Sequence, residues 1–155
     1  MSFYRATEMP ELEVSAWCST EEPLTMAGLV GKVVVIYAFQ MLCEGCVTEA
    51  LPQAQRVHEA FSRDDVVVLG LHSVFESHGR MGDEALRKFL LEKGFGFPVA
   101  VDAPGLLWTP RTMEKLGLQG TPSVILVDRV GRRRMQKLGF VGDEVLWREI
   151  GALVG

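Results

Sequence analysis

Two cysteines separated by two residues, Cys43 and Cys46, form a pair whose type and spacing could carry out chemistry. Paired thiols of this kind can cycle between a dithiol and a disulfide. One thiolate attacks a substrate disulfide, and the other thiol resolves the mixed disulfide that forms. Cys43 comes first and would lie at the exposed end, so we expect it to be the attacking thiolate. Cys46 would be the resolving thiol, one turn deeper.

The segments on either side of the pair would place it where a strand ends and a helix begins. Residues 33–39 form an unbroken apolar run rich in β-branched side chains, which is typical of a buried strand in a parallel sheet. Residues 47–61 carry apolar side chains at helical spacing, which predicts an amphipathic helix. The partial positive charge of a helix N-terminus stabilises a thiolate placed there.

The other apolar segments alternate between strand and helix patterns, which predicts an α/β fold. In chain order they are an edge strand or hairpin within 10–22, a strand at 66–72, a helix at 83–93 with Asp83 as its N-cap, a strand at 97–102, a helix from Pro110 to about Gly117, a strand at 123–128, its antiparallel partner at 133–140, and a closing helix capped by Asp143. No repeat or linker divides the chain, so residues 1–155 are predicted to form a single domain.

Composition narrows the class of protein. A net charge of −4 with both signs mixed gives no reason to expect a nucleic-acid partner, and no apolar run approaches the ~20 residues of a membrane span. The first residues show no signal peptide. We therefore expect a cytoplasmic protein, or a periplasmic one if a native signal or anchor is missing.

Cys18 is expected to be a buried apolar residue, and zinc would lack a second close pair of ligands, so no cofactor or metal is expected.

Three features, which follow one another along the chain, resemble features of the thioredoxin superfamily. They are the strand entering Cys43-Glu44-Gly45-Cys46, the βαβ unit followed by an inserted helix and strand, and Gly120-Thr121-Pro122-Ser123 ahead of a strand. The chain is most similar to the thiol:disulfide oxidoreductases of the cytochrome c maturation type, which are related to the peroxiredoxins and other redoxin or AhpC/TSA-like proteins.

That resemblance covers residues 10–154 and implies a fold and a site. The implied fold is thioredoxin-like, with a central mixed sheet, helices on both faces, an N-terminal hairpin and the helix–strand insertion. The implied site has a cis peptide bond between Thr121 and Pro122 that faces the cysteines. Leu42, Thr121 and Pro122 are the candidate substrate-binding residues. The backbone edge before Pro122 could pair with an extended substrate, and Leu42 would form part of an apolar lip beside Cys43.

The sequence also departs from the superfamily pattern. Leu42 stands where such proteins usually have tryptophan, and neither residue between the cysteines is proline. Glu49 matches the glutamate that many members place three residues beyond the second cysteine, although Pro52 follows it one position late. Glu49 is therefore a candidate to exchange a proton with Cys46, and an ordinary solvated carboxylate is the alternative.

Two further side chains bear on the chemistry. Glu44 places a negative charge beside Cys43, which opposes the helix dipole and favours a reductase over a strong oxidant. His72 ends the second buried strand at the edge of the sheet where α/β proteins place their sites. It is either a catalytic residue or a structural one with its hydrogen bonds satisfied.

These patterns predict a thiol:disulfide oxidoreductase that reduces protein or small-molecule disulfides through the Cys43/Cys46 pair. An electron donor then reduces the Cys43–Cys46 disulfide again. A peroxiredoxin-type antioxidant peroxidase is an alternative. Against it, Ile36 and Gln40 occupy the positions of the proline and threonine usual ahead of a peroxidatic cysteine. A redox-sensing binding module is a third possibility, which a measured turnover with a disulfide substrate would distinguish.

Overall fold

A mixed sheet of seven strands is the framework of the computed structural model, which describes residues 6–76 and 78–155. The strands are β1 Thr7–Glu8, β2 Val14–Cys18, β3 Val33–Phe39, β4 Val66–His72, β5 Val99–Asp102, β6 Ser123–Val127 and β7 Arg132–Leu138. The α-helices are α1 Leu51–Ala60, α2 Asp83–Lys93, α3 Arg111–Leu116 and α4 Asp143–Val154. Most of the N-terminal stretch on which the expectation of no signal peptide rests lies outside the described residues.

The strand order, β1-β7-β6-β3-β4-β5-β2, puts β3 in the middle of the sheet. All seven residues of β3 are buried, as expected for a strand with packed layers on both faces. β3 runs parallel to β4, and β4 runs parallel to β5, whereas β6 is antiparallel to β3. The carboxyl ends of β3, β4 and β5 therefore meet at one edge of the sheet, and the segments that follow them are neighbours.

Helices cover both faces of this sheet, as the sequence predicts. Val33, Val35 and Tyr37 alternate with Val34, Ile36 and Ala38 along β3, and each set joins a different hydrophobic core. Buried side chains of α1, α2 and α4 belong to the core on the first face. Those of α3 belong to the core on the second face. The fold is thioredoxin-like, with α2 and β5 as the insertion after β4.

Of the edge strand or hairpin expected within residues 10–22, the structure has the edge strand, β2, whereas β1 and β2 lie at opposite edges of the sheet and form no N-terminal hairpin with each other. β1 is two residues long and pairs with the first part of β7, where Thr7 faces Arg133. β2 pairs with β5, where Cys18 faces Val99. Between them, the amide of Met9 donates to Gly131 (3.0 Å), and Pro10 has no amide hydrogen to donate. β1 and β2 therefore pair with different strands and not with each other.

The N-cap positions of α2 and α4 differ from the prediction by one residue. Asp83 and Asp143, expected as N-caps, are the first residues of α2 and α4, and Gly82 and Gly142 occupy the cap positions. Their carboxylates still lie in the first turn, where negative charge is favourable. The longest α-helix within the described ranges has 12 residues, and none there has the length and apolarity to cross a membrane.

Two leucines on α2 provide a test of this packing. Leu86 is fully buried in the core beneath α1 and α2, whereas Leu91 is 83% exposed. Leu86→Ala should lower the free energy of unfolding by about 2–5 kcal/mol, because it removes buried methyl groups and leaves a cavity. Leu91→Ala on the same helix should change it by less than about 0.5 kcal/mol. Urea titration of both variants measures the difference, and equal losses would contradict the assignment of the buried face.

Candidate active site

The two cysteines lie on the segment that follows the carboxyl end of β3. Cys43 is partly exposed and Cys46 is completely buried, and both are free thiols. The amide of Cys43 donates to the carbonyl of Gln40 (3.0 Å), which turns the chain sharply after the strand. The amide of Val47 donates to the carbonyl of Cys43 (3.0 Å) and begins the helical turns. The strand-to-helix junction expected from the sequence is therefore where the pair lies.

The helix after the pair does not begin as a regular α-helix. Residues Cys46–Ala50 form a π-helical turn, and the amide of Leu51 donates to the carbonyl of Cys46, five residues back. Pro52 offers a physical reason, because it has no amide hydrogen for the carbonyl of Thr48 in the α-helical pattern. π-Helical turns of this kind occur frequently at functional sites.

Burial gives the two thiols different chemistry. Burial, the larger cause, and a hydrogen bond with the Cys43 thiol together raise the pKa of Cys46 to about 12. Hydrogen bonds from the Gln40 backbone and with Thr121 act in the opposite direction. Cys46 is therefore a protonated thiol at neutral pH. Cys43, the accessible member of the pair, is the sulfur that an incoming disulfide can reach.

The segment before β6 faces this pair. The peptide bond between Thr121 and Pro122 is cis, in agreement with the sequence-based prediction. The Cys43 thiol donates to the carbonyl of Thr121 (Sγ to O, 3.7 Å). A side chain built at Gly45 would meet Cδ of Pro122 at 3.7 Å. Thr121 and Pro122 thus lie against the turn that carries the cysteines.

Exposed apolar side chains occur near these residues. Leu42, immediately before Cys43, is 47% exposed, as expected for an apolar lip. Leu138 and Phe140, which the sequence analysis missed, are also exposed. The amide of Gly139 donates to the carbonyl of Pro122 (2.8 Å), which places both of them beside that residue. Their signal in the sequence was weak: two apolar residues around a glycine at the end of an otherwise charged strand.

His72 supports the cysteine segment through the backbone of Met41. Its Nε2 accepts a hydrogen bond from the amide of Met41 (3.3 Å), and its ring packs against Phe39 with the ring centroids 5.0 Å apart. Burial lowers the pKa of His72 to about 4, so the ring is neutral at physiological pH and available as an acceptor. Of the two alternatives for His72, the structure supports the structural one.

Gln40 is a buried polar residue that the sequence analysis considered only as a departure from the peroxiredoxin pattern. Its side-chain Oε1 accepts from the amide of Phe75 (3.2 Å), and its Nε2 donates to Oε1 of Glu76 (3.3 Å). Both partners follow the carboxyl end of β4. A buried amide with both ends hydrogen bonded fixes the position of the chain that carries it.

The two glutamates near the pair are exposed. Glu49 lies on the π-helical turn, and no hydrogen bond joins it to Cys43 or Cys46 within the described residues. Its role in proton transfer stays a prediction. The carbonyl of Glu44 accepts from the hydroxyl of Thr48 (2.8 Å).

Elsewhere, Cys18 is buried, and burial raises its pKa. No cluster of three or more potential metal ligands occurs in the described part of the chain.

Comparisons with known proteins agree with this geometry. A sequence profile of the AhpC/TSA family matches residues 6–132. NHL repeat-containing protein 2 of Bos taurus is 27% identical over 133 residues, and its human counterpart is 25% identical over 125 residues. These alignments cover 84% and 79% of this chain. The chain spans only about a sixth of the length of these relatives, 17% and 16%.

Solved structures of similar proteins show the same fold over nearly the whole chain. A thioredoxin-like superfamily protein superposes with a TM-score of 0.94, and a thiol-disulfide isomerase from Corynebacterium glutamicum with 0.91. Each is 47% identical to this chain, with 96% of both chains covered. A protein described as thiol:disulfide interchange protein DsbE from Chlorobium tepidum has a TM-score of 0.77. It is 20% identical over 99% of this chain and 100% of its own, which shows similarity of fold alone.

The low pKa of His72 makes stability depend on pH. The unfolded chain takes up a proton on this histidine as the pH falls below about 6.5, whereas the folded protein does so only near pH 4. The free energy of unfolding should therefore decrease as the pH falls from 6.5 to 4, by about 3 kcal/mol from this group.

His72→Gln is the matched variant, because its side-chain oxygen can still accept from the amide of Met41 but does not titrate. Urea unfolding from pH 7.5 to 4 should show a shallower pH dependence for His72→Gln than for the original protein. Parallel curves for the two proteins would contradict the placement of a neutral histidine under the cysteine segment.

Proposed function

The chain belongs to the AhpC/TSA family and has redox proteins among its structural relatives; on that basis we propose that it is a thiol:disulfide oxidoreductase that uses Cys43 and Cys46. One observation carries the proposal. The accessible Cys43 thiol lies against the Thr121 carbonyl and is hydrogen bonded to the buried Cys46 thiol. This arrangement has an attacking sulfur, a resolving sulfur beside it, and a backbone segment on which a substrate could be placed.

The proposed reaction is a two-electron exchange. The Cys43 thiolate attacks one sulfur of the substrate disulfide, forms a mixed disulfide, and releases the first substrate thiolate. Cys46 then loses its proton and attacks the Cys43 sulfur. The Cys43–Cys46 disulfide forms, and the second substrate thiolate leaves. The substrate is reduced by two electrons and the pair is oxidised, so an external dithiol donor must reduce the pair before the next cycle.

The surroundings of Cys43 suit a disulfide held in a polypeptide. Leu42, Leu138 and Phe140 offer exposed apolar contacts close to Thr121 and Pro122. Apolar side chains around a partly exposed backbone segment such as Thr121 and Pro122 are a combination that can bind an extended peptide. We therefore propose protein disulfides as the main substrates. The thiol-disulfide isomerase from Corynebacterium glutamicum, 47% identical to this chain, supports the same assignment.

A peroxiredoxin-type peroxidase is the second candidate, because the matching family profile is AhpC/TSA. In that reaction a cysteine is oxidised to a sulfenic acid by a peroxide. In this chain Gln40 stands at the position of the threonine that is usual ahead of a peroxidatic cysteine. Both ends of its side-chain amide are hydrogen bonded to Phe75 and Glu76. Consumption of hydrogen peroxide measured beside reduction of a protein disulfide separates the two activities, and we expect the disulfide reaction to be faster.

The order of attack gives a direct test of the two cysteine roles. Cys46→Ser should accumulate mixed disulfides between Cys43 and protein substrates, because no second thiol remains to release them. Cys43→Ser should accumulate none, because Cys46 is buried and protonated. Non-reducing gels and mass spectrometry of the trapped species measure this outcome. Trapping by Cys43→Ser alone would reverse the assignment.

The predicted role of Glu49 is tested by removing its charge. Glu49→Gln should change the pH dependence of thiol alkylation and leave the fold intact, because a carboxylate near the pair can accept or deliver a proton. Glu59→Gln is the matched control, since Glu59 is also exposed but lies at the far end of α1. Alkylation rates from pH 5 to 10 provide the measurement. Identical profiles for the two variants and the original protein would leave Glu49 as a surface carboxylate.

A further inference from the structure

Gln40 stands out because its backbone contacts both cysteines while its side chain is fixed elsewhere. Its carbonyl accepts from the amide of Cys43 (3.0 Å), and a backbone hydrogen bond from Gln40 lowers the pKa of Cys46. Only a hydrogen-bond donor stabilises a thiolate in this way, and the amide hydrogen is the one donor that a glutamine backbone has. The amide of Gln40 therefore points at the Cys46 sulfur.

The side chain of Gln40 holds that backbone in place. Only 1% of this residue is exposed, so both ends of its amide need partners. Phe75 and Glu76 provide them from residues 73–76, which we call the β4 extension.

Two further contacts join the cysteine segment to β4 and its extension. The amide of Ser73 donates to the carbonyl of Phe39 (3.0 Å), and the amide of Met41 donates to His72 (3.3 Å). Gln40 thus makes two of the four hydrogen bonds named here between the segments. These two bonds are made by the side chain of Gln40, the same residue whose backbone is hydrogen bonded to Cys46.

We propose that Gln40 is a positioning residue for the resolving thiol: its anchored side chain keeps its own backbone amide on the sulfur of Cys46. The inference rests on the proposed dithiol reaction and specifies which step it serves. Once Cys43 has formed a mixed disulfide, Cys46 must become a thiolate to attack the Cys43 sulfur. The Gln40 amide is a neutral donor already in position to stabilise that thiolate in a buried site.

A symmetrical aromatic disulfide such as 5,5′-dithiobis(2-nitrobenzoate) reports the two steps separately. Attack by the Cys43 thiolate breaks the probe disulfide, forms a Cys43–aryl mixed disulfide and releases one coloured aryl thiolate. Cys46 then gives its proton to solvent and attacks the Cys43 sulfur, which forms the Cys43–Cys46 disulfide and releases the second aryl thiolate. The probe takes up two electrons, and its two thiolate releases follow attack and resolution in turn.

The informative variant is Gln40→Leu, which fills the same space without hydrogen bonds. We expect the second release to slow about fourfold and the first to change less than about twofold. Loss of the Gln40 donor would raise the pKa of Cys46 and leave less thiolate, and the greater nucleophilicity of a more basic thiolate recovers part of that loss.

Gln53→Leu is the matched control. Gln53 is also 1% exposed, but it bonds to Tyr37 (3.0 Å), Val141 (2.7 Å) and Asp143 (2.8 Å) and to neither cysteine. This variant should leave the second release unchanged relative to the first, although it lowers overall stability. An equal slowing in Gln40→Leu and Gln53→Leu, or no slowing in Gln40→Leu, would overturn the proposal.

Glu76→Ala keeps the test decisive if Gln40→Leu does not fold. Glu76 is exposed, so its truncation leaves the core unchanged, and it should slow the second release in the same direction by a smaller factor. A second release at the original rate in Glu76→Ala would then overturn the proposal. Failure of the proposed function looks different: the unaltered protein itself would release a single aryl thiolate, whatever stands at position 40.

Discussion

The parallel pairing of β3 with β4 determines where the chemistry of this protein can occur. Because Phe39 is opposite His72 in the register, the two strands end together, and the segments beyond them leave the sheet side by side. A buried strand must hydrogen bond on both edges, and β6 completes β3 on the other side. The chain that enters β6 therefore lies against the chain that leaves β3, which brings Thr121 and Pro122 to Cys43.

Much of this arrangement could be predicted from short stretches of sequence. The apolar runs of β3 and β4 and the periodicity of α2 are local signals, and the structure has β3, β4 and α2 at the predicted residues. The proximity of Thr121 and Pro122 to the cysteines came from the superfamily resemblance. What could not be predicted depends on distant partners. The edge that β1 and β2 each join depends on which sheet edges remain open, and no local pattern records that.

The side-chain contacts of the site could not be predicted either, because they too depend on partners that are distant in sequence. Gln40 and its partners Phe75 and Glu76 are 35 and 36 residues apart in sequence, and His72 and Met41 are 31 apart. A lone polar residue after an apolar strand is compatible with a solvated loop, and only the neighbouring strand shows that it is buried. The contrast between the two thiols also has a tertiary origin, since the residues that bury Cys46 come from several elements of the core. Spacing could identify the pair but not the burial that raises the pKa of Cys46.

The shortness of β1 has a consequence for how copies of this molecule meet in solution. Thr7 and Glu8 cover β7 opposite Arg133 and Arg132, and β7 has no further outer partner among the described residues. A bare strand edge can recruit the same edge of another copy and grow into an aggregate. The part of β7 beyond β1, however, carries Lys137 and also Arg134, which forms an ion pair with Asp128 (3.2 Å). Charged side chains on an edge strand are one way in which proteins oppose edge-to-edge pairing, because two such edges brought together place like charges side by side, an effect that dissolved salt weakens.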